Sequence, residues 1–166
     1  MAAQIGAPAA AVRAHEELFA YWASLKAGAR LPGRRQLDPA AMKRLLPTVS
    51  LIDVGRPARD PARPEFRMRL AGTGLYGVYG REITGRRLGD IYSTAAADYW
   101  RFELGKVVAE RRPAVGVHNL AWRGAAHLSI LWLRLPLASD SGDIDMILGF
   151  DAVVGMAQTH SGIRAA

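Results

Sequence analysis

The stretch AVGVHNLAWRGAAHLSILWLRLPLASDSGDIDMILGFDAV, residues 114–153, decides the fold. Three parts of it are rich in branched and aromatic residues, as β-strands are, and turn-forming residues separate them. The predicted strands are Val115–Trp122, Leu128–Leu137 and Met146–Val153, with turns at Arg123–Ala126 and Ala138–Asp143. Connections this short join antiparallel neighbours, so residues 114–153 predict a three-stranded meander.

The chain before this meander mixes helix and strand signals. The predicted elements are an amphipathic helix Arg13–Gly28, a short helix capped by Asp38, strands Val49–Val54 and Phe66–Ala71, short turns within 72–89, and a helix Thr94–Arg111. With 166 residues there is room for one domain. We predict a flexible tail at 1–12, a helical extension at 13–46, the domain proper at 47–154 and a second tail at 155–166.

Two strands, a helical crossing and a meander predict an antiparallel sheet with helices gathered on one face, an α+β arrangement. Six segments resemble, in order, a bacterial family of stand-alone PAS domains formerly known as a domain of unknown function. They are YWASL (21–25), LPGRRQLDP (31–39), LPTVSLIDV (46–54), FRMRLAGT (66–73), GREITGRRLGDIY (80–92) and LRLPLASDSGDIDMILG (133–149). The resemblance runs from about His15 to Val154 and implies a PAS fold with sheet order 2-1-5-4-3 and an added N-terminal helix. It also implies a regulatory role, and it brings no agreed ligand.

No cofactor is expected. The chain has no cysteine, which removes disulfides and thiolate metal sites and fits a reducing, cytoplasmic compartment. Among PAS-like domains, flavin photosensors and the yellow chromophore type need a cysteine, and the haem-binding type usually ligates iron from a histidine on the long helix. Residues 94–111 contain no histidine. We therefore expect purified protein to show no visible absorption.

Neither charge nor hydropathy predicts a nucleic-acid or membrane partner. The net charge is +7, with arginine pairs such as Arg86–Arg87, but no basic stretch is interleaved with aromatics. These arginines could form a phosphate-binding surface, but an ordinary solvated surface is the favoured interpretation. The longest apolar run, Leu128–Leu137, is interrupted by Arg134 and is too short to span a membrane.

Two further features of the sequence resemble binding sites: a glycine-rich motif and the histidines. Gly72-Thr-Gly74-Leu-Tyr-Gly77 matches a dinucleotide-binding pattern, but Gly80 breaks the long helix that such a site needs. A close-packed turn is the favoured interpretation. The four histidines (His15, His118, His127 and His160) lack metal-ligand spacing, so no metal site is expected.

The strand register predicts what each face of the sheet carries. A four-residue turn after Trp122 sets Trp122 opposite His127, and therefore His118 opposite Leu131 on the core face. Met146, Leu148 and Phe150 are expected on that same face. Ile130 and Trp132 are expected on the other face, and Asp151 is expected to point away from the core.

A covering helix and a homodimer follow from that register. Bare Ile130 and Trp132 would form an apolar patch, and such a patch normally marks an interface. The N-terminal helix is the available cover, from its own subunit or from a second one. The candidate interface residues are Leu18, Trp22, Leu25, Ile130 and Trp132.

A candidate ligand pocket lies between the core face and the helical segments 72–108. Its predicted lining is Tyr76, Tyr79, Trp100, His118, Leu131 and Phe150. One inward imidazole among apolar walls suits a small, mostly apolar organic molecule with one polar group. The alternative is a fully packed core in which His118 bonds a backbone carbonyl.

The predicted function is a non-catalytic sensory or adaptor domain acting on an unidentified signalling protein through contacts. No catalytic residue is assigned, and with only a short stretch after Val154 no output domain is expected in the chain. The alternative is a small α+β-barrel enzyme of the cyclase or isomerase type. It would need an inward carboxylate paired with His118, and the strand acids available are Asp53, Asp145 and Asp151.

Overall fold

The structure is a computed structural model, and it describes residues 8–155. The helices are α1 (Pro8–Ser24), α2 (Leu75–Tyr79), α3 (Leu88–Ile91) and α4 (Thr94–Glu110). The strands are β1 (Val49–Gly55), β2 (Glu65–Ala71), β3 (Ala114–Leu120), β4 (Ala125–Ala138) and β5 (Ile144–Gly155). Turns of 3-10 helix lie at Arg34–Gln36, Pro39–Met42 and Leu46–Thr48, and between β3 and β4 at Ala121–Arg123.

The element ends follow from local chemistry. The Asp38 side chain accepts a hydrogen bond from the Ala40 N–H at 2.9 Å, which confirms the predicted cap. Ser93 caps α4 in the same way, and Pro113 prevents that helix from continuing. The helix α1 begins at Pro8 and ends at Ser24, earlier at both ends than predicted. The predicted N-terminal tail is therefore helical from Pro8, while residues 1–7 and 156–166 of the two predicted tails lie outside the described residues.

The five strands form one antiparallel sheet in the order β2-β1-β5-β4-β3, which confirms the predicted fold. Each face of the sheet packs a separate hydrophobic core. The helix-side core lies under α2, α3 and α4, and the α1-side core lies between the sheet and α1 with the 3-10 turns. Because side chains alternate along a strand, the buried residues of β4 and β5 face one core or the other in turn.

The register between β3 and β4 differs from the prediction by one residue. His118 lies opposite Ile130 and Gly116 lies opposite Trp132, whereas the predicted partner of His118 was Leu131. The cause is the connection: β3 ends at Leu120, a 3-10 turn follows, and the ladder is irregular between Asn119 and Leu120. The Asn119 side-chain amide donates to the carbonyls of Ala126 and Leu128 and so holds the irregular segment in place.

A slip of one residue moves every side chain of one strand to the other face relative to its neighbour. Ile130 and Trp132 therefore lie in the helix-side core together with His118, and Asp151 points into that core. The apolar residues of the alternate positions, Leu133, Leu135, Met146, Leu148 and Phe150, lie in the α1-side core. The predictions that α1 covers Ile130 and Trp132, that Phe150 faces the helices and that Asp151 points outward are wrong.

The glycines of the Gly72–Gly77 segment serve close packing. The N–H groups of Gly72 and Gly74 donate to the carbonyls of Val49 and Pro47, and a Cβ on either glycine would collide with the backbone around Pro47. The helix that follows, α2, has 5 residues. The segment is a close-packed turn, as predicted.

Candidate functional site

Polar groups are concentrated in the helix-side core, where Arg134 and Asp151 form an ion pair. Each residue is 1% exposed, and Nη1 of Arg134 lies 2.8 Å from Oδ1 of Asp151. The two lie diagonally across β4 and β5, since Asp151 is opposite Trp132 and Arg134 is opposite Gly149. A Cβ at Gly149 would come within 3.2 Å of Arg134 Nη1, so the missing side chain leaves room for the guanidinium.

Two tyrosines connect the ion pair to the helical layer. The Tyr79 hydroxyl, from α2, donates to Oδ2 of Asp151 at 2.9 Å. The Tyr92 hydroxyl, just after α3, donates to the Tyr79 oxygen at 3.1 Å. Arg134 Nη1 also donates to the carbonyls of Leu133 and Phe150. Helices and strands are thus joined by one chain of buried hydrogen bonds and charges.

Aromatic rings surround this network of hydrogen bonds and charges. The guanidinium carbon of Arg134 lies 4.7 Å from the ring centroid of Trp100 and 5.7 Å from that of Trp132, a cation–π arrangement. The Trp132 indole donates to the Tyr99 hydroxyl at 2.9 Å. The rings of His118 and Trp122 complete the set: His118 stacks on Tyr99, and Trp122 packs edge-on against Tyr92.

Several buried polar atoms in this core have no hydrogen-bond partner among the described residues. They are Ser50 Oγ, Trp100 Nε1, His118 Nε2, Trp122 Nε1, Arg134 Nε and Asp151 Oδ1. The last of these lies 2.8 Å from Nη1 of Arg134 in the ion pair. Buried groups of this kind are nearly always satisfied by protein, water or ligand, so the cluster is the candidate site of this domain.

Burial shifts the ionisation of these groups. Burial, with the Asp151 carboxylate as the second cause, raises the pKa of Tyr79 well above its ordinary value, and burial also raises the pKa of Tyr92. Burial alone would lower the pKa of Arg134, but Asp151 beside it outweighs this, and the pKa lies above its ordinary value. Burial lowers the pKa of His118. At neutral pH the core therefore holds a charged guanidinium, two neutral phenols and a neutral imidazole.

The structure brings three of the six predicted pocket residues together. Tyr79, Trp100 and His118 share the helix-side core. Tyr76 is 48% exposed on α2. Leu131 lies on the opposite face of the sheet, opposite Val117, and Phe150 lies in the α1-side core. Both were misplaced by the register, so neither lines the helix-side core.

The five predicted interface residues do not form one surface. Leu18 and Trp22 are buried in the α1-side core, with Leu25 packed at its margin. Ile130 and Trp132 are buried on the other side of the sheet. The prediction that α1 packs on the sheet is confirmed, but its contacts are with residues such as Leu133 and Leu135.

The sequence prediction missed Arg134 and Asp151, which organise the site. One signal was available: Arg134 is a charged residue in the middle of an apolar strand, LSILWLRLPL (128–137), where charge is costly unless it is paired. No pattern in the sequence names Asp151 as its partner, because that pairing depends on which strands are neighbours and in which register.

A five-stranded antiparallel sheet of this order, with helices over one face and a polar network beneath them, defines a sensory domain of the PAS type. The chain belongs to the PAS domain family, whose model matches residues 10–151. PAS domains are sensory modules that are generally not catalytic. Comparison with curated proteins gives no match.

Solved structures of PAS and LOV domains are similar to this chain. A variant of the LOV protein RsLOV is 16% identical with a TM-score of 0.50, over 70% of this chain and 65% of that one. The PAS domain of Bordetella pertussis BvgS is 18% identical with a TM-score of 0.49, over 71% of this chain and 85% of that one. A Rhodobacter sphaeroides LOV protein is 14% identical with a TM-score of 0.49, over 74% and 71%. At these identities the likeness concerns the fold alone.

Membrane-spanning helices and metal sites are two other possibilities for residues 8–155. No helix in that range is long and apolar enough to cross a lipid bilayer. Nor does that range contain a group of three or more histidine, aspartate or glutamate side chains arranged to hold a metal ion.

Proposed function

We propose that this PAS domain is non-catalytic, that it acts on other proteins through surface contacts, and that a small organic ligand in the helix-side core selects between its states. A ligand biases such an equilibrium only as far as it binds one state better than the other. The observation that carries the proposal is the set of unpartnered buried polar atoms around Arg134.

The chemistry of those atoms defines the ligand class. The indole N–H groups of Trp100 and Trp122 and the Nε–H of Arg134 are donors only, so they call for an acceptor. The surrounding rings supply apolar walls. A small, mostly apolar molecule with a carbonyl or carboxylate oxygen suits this set, whereas a phosphate would need more donors and more charge.

A thermal-shift screen of small organic carbonyl and carboxylate compounds tests the proposal. A compound present at about 100 times its dissociation constant stabilises a protein by about 2.7 kcal/mol, which raises the melting temperature of a domain of this size by roughly 5–10 °C. We expect such shifts with the wild type and their loss in His118→Ala. The matched control is His127→Ala, since His127 is exposed on β4.

The outcomes separate clearly. Shifts that persist in His127→Ala and disappear in His118→Ala support a ligand in the helix-side core. Equal shifts in all three proteins, or no compound that shifts the wild type, contradict it. Native mass spectrometry of protein purified from its own host gives a second readout, because a bound ligand adds a discrete mass.

The arrangement of acids supports a non-catalytic role over the enzyme alternative. That alternative needs a carboxylate bonded to His118. Asp151 is inward, but it is held by Arg134 and Tyr79, and Nε2 of His118 has no partner among the described residues. Asp53 pairs with Arg69 at the surface, and Asp145 is exposed.

The partners are an unidentified signalling protein and a second copy of the chain. The long helix α4 carries an exposed phenylalanine and β3 carries exposed valines, which are surfaces suited to contacts. The same proposal places the protein in the bacterial cytoplasm, with which a sequence without cysteine is compatible.

A further inference from the structure

The two edges of the sheet are protected very differently. The β2 edge carries Glu65, Arg67 and Arg69, and the segment 85–87 lies along it, with the Met68 N–H donating to the Arg86 carbonyl at 2.9 Å. Charge and a covering segment are the usual ways in which proteins prevent edge strands from pairing with other chains. The β2 edge is therefore closed.

The β3 edge has neither protection within residues 8–155. Its seven residues, AVGVHNL, include no charged residue and no proline. β4 is the one strand beside it, and no backbone hydrogen bond joins residues 114–118 to any other described segment. Val115 and Val117 point away from the helix-side core and are 65% and 59% exposed. An uncharged edge with exposed valines and no covering segment, such as residues 114–118 present among the described residues, is a template for pairing.

We propose that β3 pairs antiparallel with β3 of a second copy of this chain, which joins two sheets into one of ten strands. The pairing deepens the proposed function, on which it rests, by naming the contact between two copies. The two-fold axis passes through Gly116. Val115 then lies opposite the partner subunit's Val117, Val117 lies opposite the partner subunit's Val115, and all four side chains share the α1-side face.

The sequence of β3 fits a second copy better than another partner. A two-fold axis at Gly116 sets each exposed valine of one copy against a valine of the other, as an isologous contact, in which the same patch meets itself, allows. The chain has a net charge of +7, so two copies repel through most of their surfaces, and β3 is an uncharged place for them to meet. A strand without charge offers nothing to select an acidic peptide.

Gly116, at the proposed axis, also packs closely on the helix-side core. A Cβ at Gly116 would collide with the indole of Trp132 on the helix side, so the strand lies close to that ring. On the same strand, His118 reaches the helix-side core. A ligand that contacts His118 therefore touches the strand that forms the contact between subunits.

Sedimentation analysis over a range of concentrations tests the pairing. A strand pair with two valines per subunit is at the small end of protein interfaces, so we expect a weak dimer that forms at about 10–100 µM and above. Val115→Lys combined with Val117→Lys should be monomeric throughout that range and keep the wild-type melting temperature. Phe102→Lys is the matched control, because Phe102 is 65% exposed on α4. It should dimerise as the wild type does.

Two results overturn the pairing. One is a wild type that stays monomeric up to about 500 µM, well above the concentration range expected for a small interface. The other is a Val115→Lys/Val117→Lys variant that dimerises as the wild type does. A monomer that still binds compounds in the thermal-shift screen overturns the pairing and leaves the ligand proposal standing. A dimer that binds no compound overturns the ligand proposal and leaves the pairing standing.

Cysteine cross-linking tests the strand contact itself, because the chain has no native cysteine. An equimolar mixture of Val115→Cys and Val117→Cys proteins should form a disulfide-linked dimer under mild oxidation, whereas either variant alone should cross-link at least tenfold less. Equal cross-linking by a single variant overturns the axis at Gly116. Amide hydrogen exchange gives a second readout: residues 114–118 should exchange more slowly in the dimer than in the monomer, and protection confined to α1 overturns the edge pairing.

Discussion

On the α1 side of the sheet the core is almost entirely aliphatic, and its few polar atoms are satisfied. The Trp22 indole donates to the Pro136 carbonyl at 2.9 Å, and His15 Nε2 lies 3.2 Å from the Leu131 carbonyl. On the helix side the core holds the ion pair of Arg134 and Asp151 and all the unpartnered buried polar atoms named above. One sheet therefore supports two cores of opposite character.

The difference between the two cores indicates that they have different roles. Well-satisfied aliphatic packing stabilises a single arrangement, whereas a buried polar network in a low-dielectric core responds strongly when one partner is changed or supplied. We infer that the α1 side stabilises the fold and that the helix side is where a signal acts. The following substitutions test that division, from the largest expected effect to the smallest.

Asp151→Leu should have the largest effect. It leaves the guanidinium of Arg134 buried without a counter-charge, and removing one partner of a buried pair costs about 3–5 kcal/mol. Chemical denaturation measures the free energy of unfolding. The double variant Arg134→Met with Asp151→Leu should recover most of the loss, because replacing both charges by apolar groups is often close to neutral. A double variant no more stable than Asp151→Leu would show that charge is not the cause.

Leu135→Ala should destabilise the α1 side by about 2–5 kcal/mol, through lost burial and the cavity left behind. Leu135 is fully buried there. Because the change lies on the opposite face from the polar network, compound-induced thermal shifts should match those of the wild type. If Leu135→Ala removes those shifts, the two cores are not independent.

Gly116→Ala should cost about 1–3 kcal/mol, as overpacking does. A Cβ there meets the indole ring of Trp132, whose movement would disturb the Tyr99 and Arg134 contacts as well. Thermal melting measures the loss. The control is Gly124→Asn, at a left-handed position in the β3–β4 turn with open space around it, which should change stability much less.

Acidification should produce the smallest effect, and it should arise on both sides of the sheet. Burial lowers the pKa of His118 and of His15 below the ordinary value of 6.5. Between the folded and unfolded pKa values the unfolded chain binds more protons, so stability is complete above about 6.5 and falls as the pH drops below it.

Replacing either histidine with glutamine should reduce this pH dependence. Unfolding free energies measured from pH 7.5 to 5.0 should decline less steeply in His118→Gln and in His15→Gln than in the wild type. A wild-type slope of zero in that window would contradict both assignments.

The sequence by itself determined the strands, the two long helices and the inward direction of His118. These follow from alternation within each strand, from caps such as Asp38 and from short turns, all of which act between residues close in the chain. The six segments that resemble the PAS family, between residues 21 and 149, indicated the same fold and also its sheet order. Tyr79, Trp100 and His118 of the candidate site were found in this way.

Only the tertiary structure decided which face of β4 lies under the helices. The register of a hairpin depends on its turn, and here Asn119 bonds to the carbonyls of Ala126 and Leu128 and displaces the ladder by one residue. That displacement places Trp132 beside Gly116. The Arg134–Asp151 pair is buried beneath the helices because this face of β4 and β5 packs against them. Local sequence patterns do not contain this information, because the energy that selects it comes from packing α1 and the other helices on opposite faces at once.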